Sequence, residues 1–215
     1  MTSTGLRRYG PFARWYDALS GERLVYRAGR VAGIDALRLR AGDRILDAGC
    51  GTGLDFALLE AGVGPTGSIV GVDAAEAMLV RARARTSRHG WGNVTLVRGD
   101  AADVDALLQP GAVVDAALFT YALSVIGDWE RAWSAVLARV RPGGRVAVVD
   151  LGLPTGSAWT LRPLAGLACR VGGADPHRVP WRLVVEQTDD VVQRELRAGH
   201  VHVAAGTVRR TAVTL

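Results

Sequence analysis

The sequence predicts an α/β protein: a parallel sheet with helices on both faces, closed by an antiparallel pair of strands. Three observations carry this. From residue 43 onward, short apolar runs alternate with amphipathic stretches, the pattern of strands joined by crossover helices. The runs are apolar on both sides of the pleat, as in strands buried on both faces. The last two runs, VVQRELRAG and HVHVAAGTVRR, instead alternate and are separated by Gly199, which reads as a hairpin.

The elements follow in order. Strands are expected at Arg44–Ala48, Ser68–Asp73, Asn93–Arg98, Val113–Phe119 and Arg145–Leu151. Helices are expected at Leu54–Ala61, Ala75–His89, Ala101–Leu108 and Asp128–Val140. The second of these has apolar residues on one side, Arg on the other, and Gly90 placed to stop it. RPGGR at 141–145 is a breaker cluster that ends a helix and starts a strand. Two regions fall outside the alternation. Residues 1–42 read as two helical pieces broken at Ser20-Gly21, an N-terminal helical lid. Residues 152–188 read as an apolar helix, a loop (ADPHRVP) and a short helix (WRLVVEQ), an insertion capping the substrate side. The rest of 43–215 is one core, so the whole is one domain.

Composition bounds the class. With 215 residues and 49 % hydrophobic content, the chain can bury a real core and is not disordered. No apolar run approaches the roughly 18–20 residues of a membrane span. MTSTGLRRYGPF lacks the apolar stretch of a secretory signal. Two cysteines, Cys50 and Cys169, make neither a disulfide framework nor a CxxC metal pair, and a reducing cytoplasm is the expected home. The net charge of +5 is concentrated at the start. Residues 1–44 hold Arg7, Arg8, Arg14, Arg23, Arg27, Arg30, Arg38, Arg40 and Arg44 against Asp17, Glu22, Asp35 and Asp43. This segment is either a solvated helix face or a basic surface for phosphates, an acidic substrate or an anionic membrane. The second alternative would make the protein peripheral at the inner membrane face.

The chemistry centres on ILDAGCGTG. A buried strand ends at Asp47, and the chain must turn sharply into a helix. Gly49, Gly51 and Gly53 remove side chains where a ligand would lie against the backbone. The helix start beyond them offers free N–H groups to a carboxylate or phosphate. The dinucleotide fingerprint is GxGxxG, whereas this loop is GxGxG, with Leu54 where the last glycine belongs. A second strand runs into Asp73, an acid able to accept two hydrogen bonds from a ribose diol. A third is followed by Asp100, able to accept from an adenine amino group, with Ala101 and Ala102 beside it. Each acid can equally be a helix N-cap. Their succession at consecutive strand tips points to an adenosyl ligand.

DAGCGTG (47–53), VGVDAAEAM (70–78), RGDAAD (98–103), VVDAALFTYALSVIGD (113–128) and LARVRPGGRVAVVD (137–150) resemble, in order, the conserved blocks of class I S-adenosylmethionine (SAM)-dependent methyltransferases. The nearest flavour is the ubiquinone/menaquinone and phosphatidylethanolamine methyltransferase group. The resemblance is dense over residues 40–150. It implies a Rossmann-like seven-stranded sheet, five parallel strands plus the C-terminal antiparallel hairpin. It also implies SAM as cofactor, leaving as S-adenosylhomocysteine. Gly49, Gly51 and Gly53 would then lie against the methionine part and ribose. Asp47 would favour the cationic amino group, and Asp73 would hold the ribose hydroxyls. Ala74 and Met78 would lie along the adenine, with Asp100 and Ala101 at its edge. Phe119 to Tyr121 would line the methyl-donor side.

Methyl transfer from a sulfonium is an in-line displacement, so alignment in a water-poor pocket is the main demand. A base is needed only when the acceptor arrives protonated. His177, in the cap loop, and Tyr16, in an ARWYDALSG segment resembling the YD stretch of quinone and phospholipid methyltransferases, are the candidate catalytic residues, with Tyr9 beside Tyr16. Each has an ordinary alternative, as a loop histidine or as an aromatic pinning a helix. His200 and His202 share one strand face without a carboxylate partner nearby in sequence, and no metal site is expected. FTYA stands where nucleic-acid amino methyltransferases carry NPPY or DPPY, so no nucleic-acid substrate is expected. The lid and cap mix Trp15, Trp159 and Trp181 with Arg14, Arg162, Arg178 and Arg182. That suits a small or lipid-like acceptor: a quinone, a phospholipid amine or a secondary metabolite. Two other readings stay open. One is a SAM-binding protein without methyl transfer, or with other SAM chemistry. The other is an NAD(P)-linked oxidoreductase, disfavoured by Leu54.

Overall fold

A computed structural model describes residues 26–171, 173–175 and 177–210. Seven strands form one sheet in the order β3-β2-β1-β4-β5-β7-β6. They are β1 (Arg44–Ala48), β2 (Ser68–Asp73), β3 (Val94–Arg98), β4 (Val114–Thr120), β5 (Val140–Leu151), β6 (Thr188–Leu196) and β7 (Val201–Val208). Strands β1 to β5 pair in parallel, and β7 inserts antiparallel between β5 and β6. The expected sheet of five parallel strands and a terminal hairpin is therefore the observed one.

Period-two alternation splits the buried residues between two layers. Ile45, Ile69, Leu118 and Ala147 face α1 (Arg27–Leu37), α2 (Phe56–Val63) and α3 (Glu76–His89). Leu46, Val72, Phe119 and Val148 face the other side. There they meet α4 (Val104–Leu107) and α5 (Trp129–Arg139), and, beyond α6 (Arg162–Val171), α7 (Trp181–Gln187). Trp133 of α5 is fully buried and fills this second layer.

The differences from expectation are local. The first helical turn after the glycine loop is not helical, and α2 begins only at Phe56. Asp100 caps a 3-10 turn, Ala101–Asp103, so the expected helix at 101–108 is reduced to four α-helical residues. RPGGR does not precede β5 but is absorbed into it. Val140 already pairs with Val114, and the register shifts between Val114 and Ala116 to take up the extra residues. Gly144 is required there, because a Cβ would lie 2.5 Å from the Asp115 carbonyl oxygen. β6 starts earlier than the alternation suggested, running directly on from α7.

Of the N-terminal segment expected to form a lid, the first helical piece, with Tyr9 and Tyr16, lies outside the described residues. The second piece is α1. Its RAGRVAG stretch presses two glycines onto the sheet. A Cβ on Gly33 would stand 2.3 Å from Val149 Cγ2, and one on Gly29 2.2 Å from Tyr121 Oη. Among the Arg residues of the basic segment, Arg30 pairs with Asp55, Arg38 with Asp190, and Arg44 with Asp115. Part of the N-terminal charge excess is thus spent on contacts within the fold.

Candidate functional site

A cleft of about 290 Å³ opens at the carboxyl ends of β1, β2 and β4, where the strand order reverses direction. Of the residues singled out from sequence, Gly49, Gly51, Asp73, Ala74, Met78, Asp100, Ala101 and Tyr121 line it.

The three glycines serve different ends. All have positive φ, at 78°, 55° and 74°, which only glycine adopts at low cost. Gly51 alone faces open space, with nothing within 4 Å of a Cβ placed there. At Gly49 a Cβ would stand 2.6 Å from Ala122 Cβ, and at Gly53 2.5 Å from the Phe56 ring. So Gly51 leaves room for a ligand, while Gly49 and Gly53 leave room for the protein. Gly53 is not part of the cleft wall.

Asp73 ties two strand tips together. Its Oδ2 accepts from Gly51 N at 2.9 Å and its Oδ1 from Ala75 N at 2.8 Å. A carboxylate has about four acceptor positions, so two remain for a diol. Burial pushes its carboxyl above the usual range, and the two backbone N–H groups oppose that. Asp100 accepts from Ala102 N at 2.9 Å and remains exposed at the cleft edge, so it is both N-cap and lining residue.

Asp47 sits under the glycine turn on the α1 face, fully buried. Neither of its oxygens has a hydrogen-bond partner among the described residues. Burial first, then the nearby Asp55 charge, push its carboxyl well upward, and the Arg30 guanidinium opposes them. An unpartnered buried carboxylate is costly. Asp47 does not itself line the cleft: it lies behind the glycine turn, where its charge favours a cationic ligand group on the far side of Gly49 and Gly51.

The wall opposite carries the expected Thr120 and Tyr121 together with residues the sequence does not point to. Arg30 of α1 reaches the cleft, pairs with Asp55 at 3.1 Å, and lies 5.3 Å from the Tyr121 ring centroid. Tyr121 has φ of 56°, a strained setting for a non-glycine residue. Its hydroxyl donates to the Tyr26 carbonyl at 2.8 Å, and the two rings meet edge to face at 4.8 Å. Thr120, Ala122, Val125 and Ile126 complete this wall. The signal that points to Arg30 is the RAGRVAG spacing, in which Arg30 follows one of the two glycines that seat the helix.

Phe119 does not join the cleft: its side chain is fully buried on the opposite face, its ring centroid 6.5 Å from that of Trp133. Alternation turns Thr120 to the site instead, and Tyr121, past the strand end at positive φ, joins it there. His177 is exposed and does not line the cleft; its backbone N–H donates to Asp175 Oδ1 at 3.0 Å. His202 stacks flat on Trp181 at 3.9 Å, and His200 Nδ1 lies 2.8 Å from the Gly152 carbonyl oxygen. Cys50 lines the cleft, but burial and the surrounding carboxylates push its thiol well up, which keeps it neutral and a poor nucleophile.

Residues 45–144 match the family model described as Methyltransferase domain. The chain is 32 % identical over 160 residues to the ubiquinone/menaquinone biosynthesis C-methyltransferase UbiE of Pseudomonas putida, a match covering 70 % of this chain and 60 % of that protein. It is 35 % identical over 117 residues to the demethylmenaquinone methyltransferase of Symbiobacterium thermophilum, covering 54 % and 45 %. The chain spans 60 % or less of the length of such curated relatives. Among solved structures, a SAM-dependent methyltransferase from Aquifex aeolicus superposes with a TM-score of 0.61 at 17 % identity, covering 91 % of this chain and 96 % of that one. The glycine opening at Gly51, the half-satisfied Asp73 and the buried, unpartnered Asp47 behind the turn fit S-adenosylmethionine, the cofactor that the sequence blocks imply.

Proposed function

The core of this chain belongs to the class I SAM-dependent methyltransferases, and from that premise we propose that the protein moves a methyl group from SAM to a small amphipathic acceptor of quinone type. The observation that carries the reading is the unpartnered Asp47 carboxylate beneath a glycine turn that Asp73 holds open. When bound, SAM supplies a methyl group already activated by its sulfonium. Asp47, behind the glycine turn, would offset the charge of the methionine ammonium, and Asp73 would accept from the ribose hydroxyls with its remaining lone pairs. Met78 and Ala74 would give the adenine an apolar bed, with Asp100 at its edge.

The acceptor side supports an apolar body. Ala122, Val125 and Ile126 form that wall, with Tyr121 and Arg30 at its rim. Tyr121 Oη already donates to the Tyr26 carbonyl, so it serves as a post for α1 and not as a base. Water exclusion and in-line alignment by this wall are the chain's contribution to rate. The quinone class is favoured by the printed functions of the relatives and by the lack of charge on the wall beyond Arg30. The cap, residues 152–188, together with the N-terminal segment, is the proposed acceptor enclosure; of the candidate catalytic residues, His177 is exposed away from the cleft and Tyr16 lies outside the described residues. No helix among the described residues is long and apolar enough to cross a membrane. Contact of the basic segment with an anionic surface is testable by flotation with anionic vesicles at low salt, where absence of recovery removes it.

Two measurements test the proposal. Calorimetry with S-adenosylhomocysteine, SAM and NADP should give binding of the first two and none of the third; the reverse order returns the protein to the oxidoreductases. Labelled methyl groups from SAM should then appear in demethylated quinols. Tight binding without transfer to any acceptor in a cell extract marks a SAM-binding protein of other chemistry.

A further inference from the structure

The turn at 121–126 lines the cleft beyond the end of β4, and beyond Tyr121 N, which bonds to the Val149 carbonyl, no sheet hydrogen bond holds it, yet it touches the glycine loop. Ala122 lies so close to Gly49 that the loop has no room for a Cβ. Any shift of the turn therefore reaches the cofactor loop directly. Two side chains distant in sequence hold it. From below, Asp150 at the end of β5 accepts from Ser124 N at 2.9 Å and from Ser124 Oγ at 2.6 Å, while Leu151 N adds a third bond at 2.8 Å. From above, Arg178 donates to the carbonyls of Leu123 and Ile126 and pairs with Asp175 at 3.6 Å. Asp175 N in turn donates to the Ser124 carbonyl at 3.1 Å. Ser124 is thus gripped at its N–H, its hydroxyl and its carbonyl.

We propose that Asp150 and Arg178 are paired positioning residues that clamp the 121–126 turn between the sheet and the cap, so that the seating of the cap sets the affinity of the cofactor cleft. Neither residue lines the cleft, and both act through Ser124 and its neighbours. The proposal rests on the cofactor reading above. Its physical basis is leverage. The turn supplies Ala122, Val125 and Ile126 to the cleft, and the Ser124 N–H and the carbonyls of Leu123, Ser124 and Ile126 are spent on the clamp, the Val125 and Ile126 N–H groups bonding to the Ala122 carbonyl within the turn. A cap that lifts away takes Arg178 and Asp175 with it and leaves three carbonyls, of Leu123, Ser124 and Ile126, without these donors. Asp150 is fully buried, and its carboxyl is pushed up to about 6 by that burial against the opposing Ser124 and Arg178. The groups facing it are Ser124, Arg178 of the cap, Cys169 of α6 and its register partner His202 of β7, which burial holds below its ordinary value. Protonation of Asp150 removes one acceptor from the Ser124 grip and loosens the clamp.

The test is the dissociation constant and stoichiometry of S-adenosylhomocysteine by calorimetry at pH 7.5 and pH 5.5, for the wild type, Asp150→Asn, Arg178→Ala and Arg178→Lys. At pH 7.5, Arg178→Ala should weaken binding about five- to tenfold at unchanged stoichiometry, and Arg178→Lys should recover part of the loss. Asp150→Asn should bind several-fold more weakly at pH 7.5 and lose part of the wild type's pH dependence. Asp47 and Asp73 titrate alike in both proteins and cancel from that difference. Variants within twofold of wild type at both pH values overturn the proposal. So does a fall in stoichiometry at constant affinity, the sign of a merely structural role. If Asp150→Asn does not fold, the two Arg178 variants decide. A wild type that fails to bind at all overturns the cofactor reading instead.

Discussion

The two walls of the cleft are built by different rules. The wall on β1, β2 and β3 is made of residues within a few positions of each strand tip: Gly51, Asp73, Met78, Asp100. Its hydrogen bonds run between neighbouring tips, as from Gly51 to Asp73, or within one turn, as from Ala102 to Asp100. The opposite wall is assembled from far apart. Tyr121 is seated by Tyr26 and Gly29, Arg30 by Asp55, and Ser124 by Asp150 and Asp175. In the proposed function the first wall takes the cofactor, a ligand part that is the same for every acceptor. The second holds what varies, and so its parts have no fixed local pattern.

The sharpest way to break this comparison is to substitute glycines that serve protein contacts against the one that serves the ligand. Gly33→Ala and Gly49→Ala each drive a methyl group into a packed neighbour, Gly49 at positive φ as well. Each should cost about 3 kcal/mol of stability by denaturant titration. Gly51→Ala meets nothing and should cost only about 1 kcal/mol of backbone strain, yet it should abolish S-adenosylhomocysteine binding. Equal stability losses at Gly49 and Gly51 would erase the distinction.

Next in size is the local wall itself. Asp73→Asn leaves one acceptor oxygen where two backbone N–H groups and a diol compete, and should weaken S-adenosylhomocysteine by about 2 kcal/mol, roughly thirtyfold. Asp100→Ala removes an exposed cap and should weaken it only a few-fold. Calorimetry on both separates ribose from adenine recognition.

A smaller effect tests the long-range wall through pH. The folded-state value of about 6 for Asp150 lies above the ordinary 3.8, so the folded protein holds that proton more tightly than the unfolded chain. Stability should therefore rise as pH falls from 7 to 5, by about 1 kcal/mol from this group, with Asp47 and Asp73 acting in the same direction. Asp115 and Asp190 are held below the ordinary value by Arg141 with Arg44 and by Arg38 with Arg145; they lose their contribution only below about pH 4. Urea melts at pH 5, 6 and 7 should show the rise, and Asp150→Asn should flatten it. Smallest of all, Cys50 should alkylate far more slowly than a model thiol at pH 8, although it lines the cleft, and still more slowly with S-adenosylhomocysteine bound.

This division also explains what was legible in the sequence. β1 and β2 end where apolar runs meet an acid or a glycine turn, and Arg44–Ala48 and Ser68–Asp73 can be read directly. The hairpin was legible because its alternation differs from the buried strands. Phe119 was assigned to the cleft because it ends an apolar run; the pleat sends it to Trp133, and that partner is invisible without knowing which helix covers which face. β5 was expected to begin after RPGGR, and a register shift opposite Val114 lets the strand run through it. Arg30, Tyr121 and Asp150 owe their settings to partners 25 to 95 positions away, at Asp55, Tyr26 and Ser124. No window of sequence spans such pairs.

The hairpin has a consequence for assembly. Because β7 slots between β5 and β6, the outermost strand on that side of the sheet is β6, not an apolar parallel strand. β6 carries Asp189, Asp190, Arg194 and Glu195, breaks register between Asp189 and Val192, and holds Asp190 at positive φ. A kinked, charged rim of this kind refuses a further strand. Such an edge works against growth of the sheet into a neighbouring copy on that flank, a common route from a well-formed β-edge to aggregation.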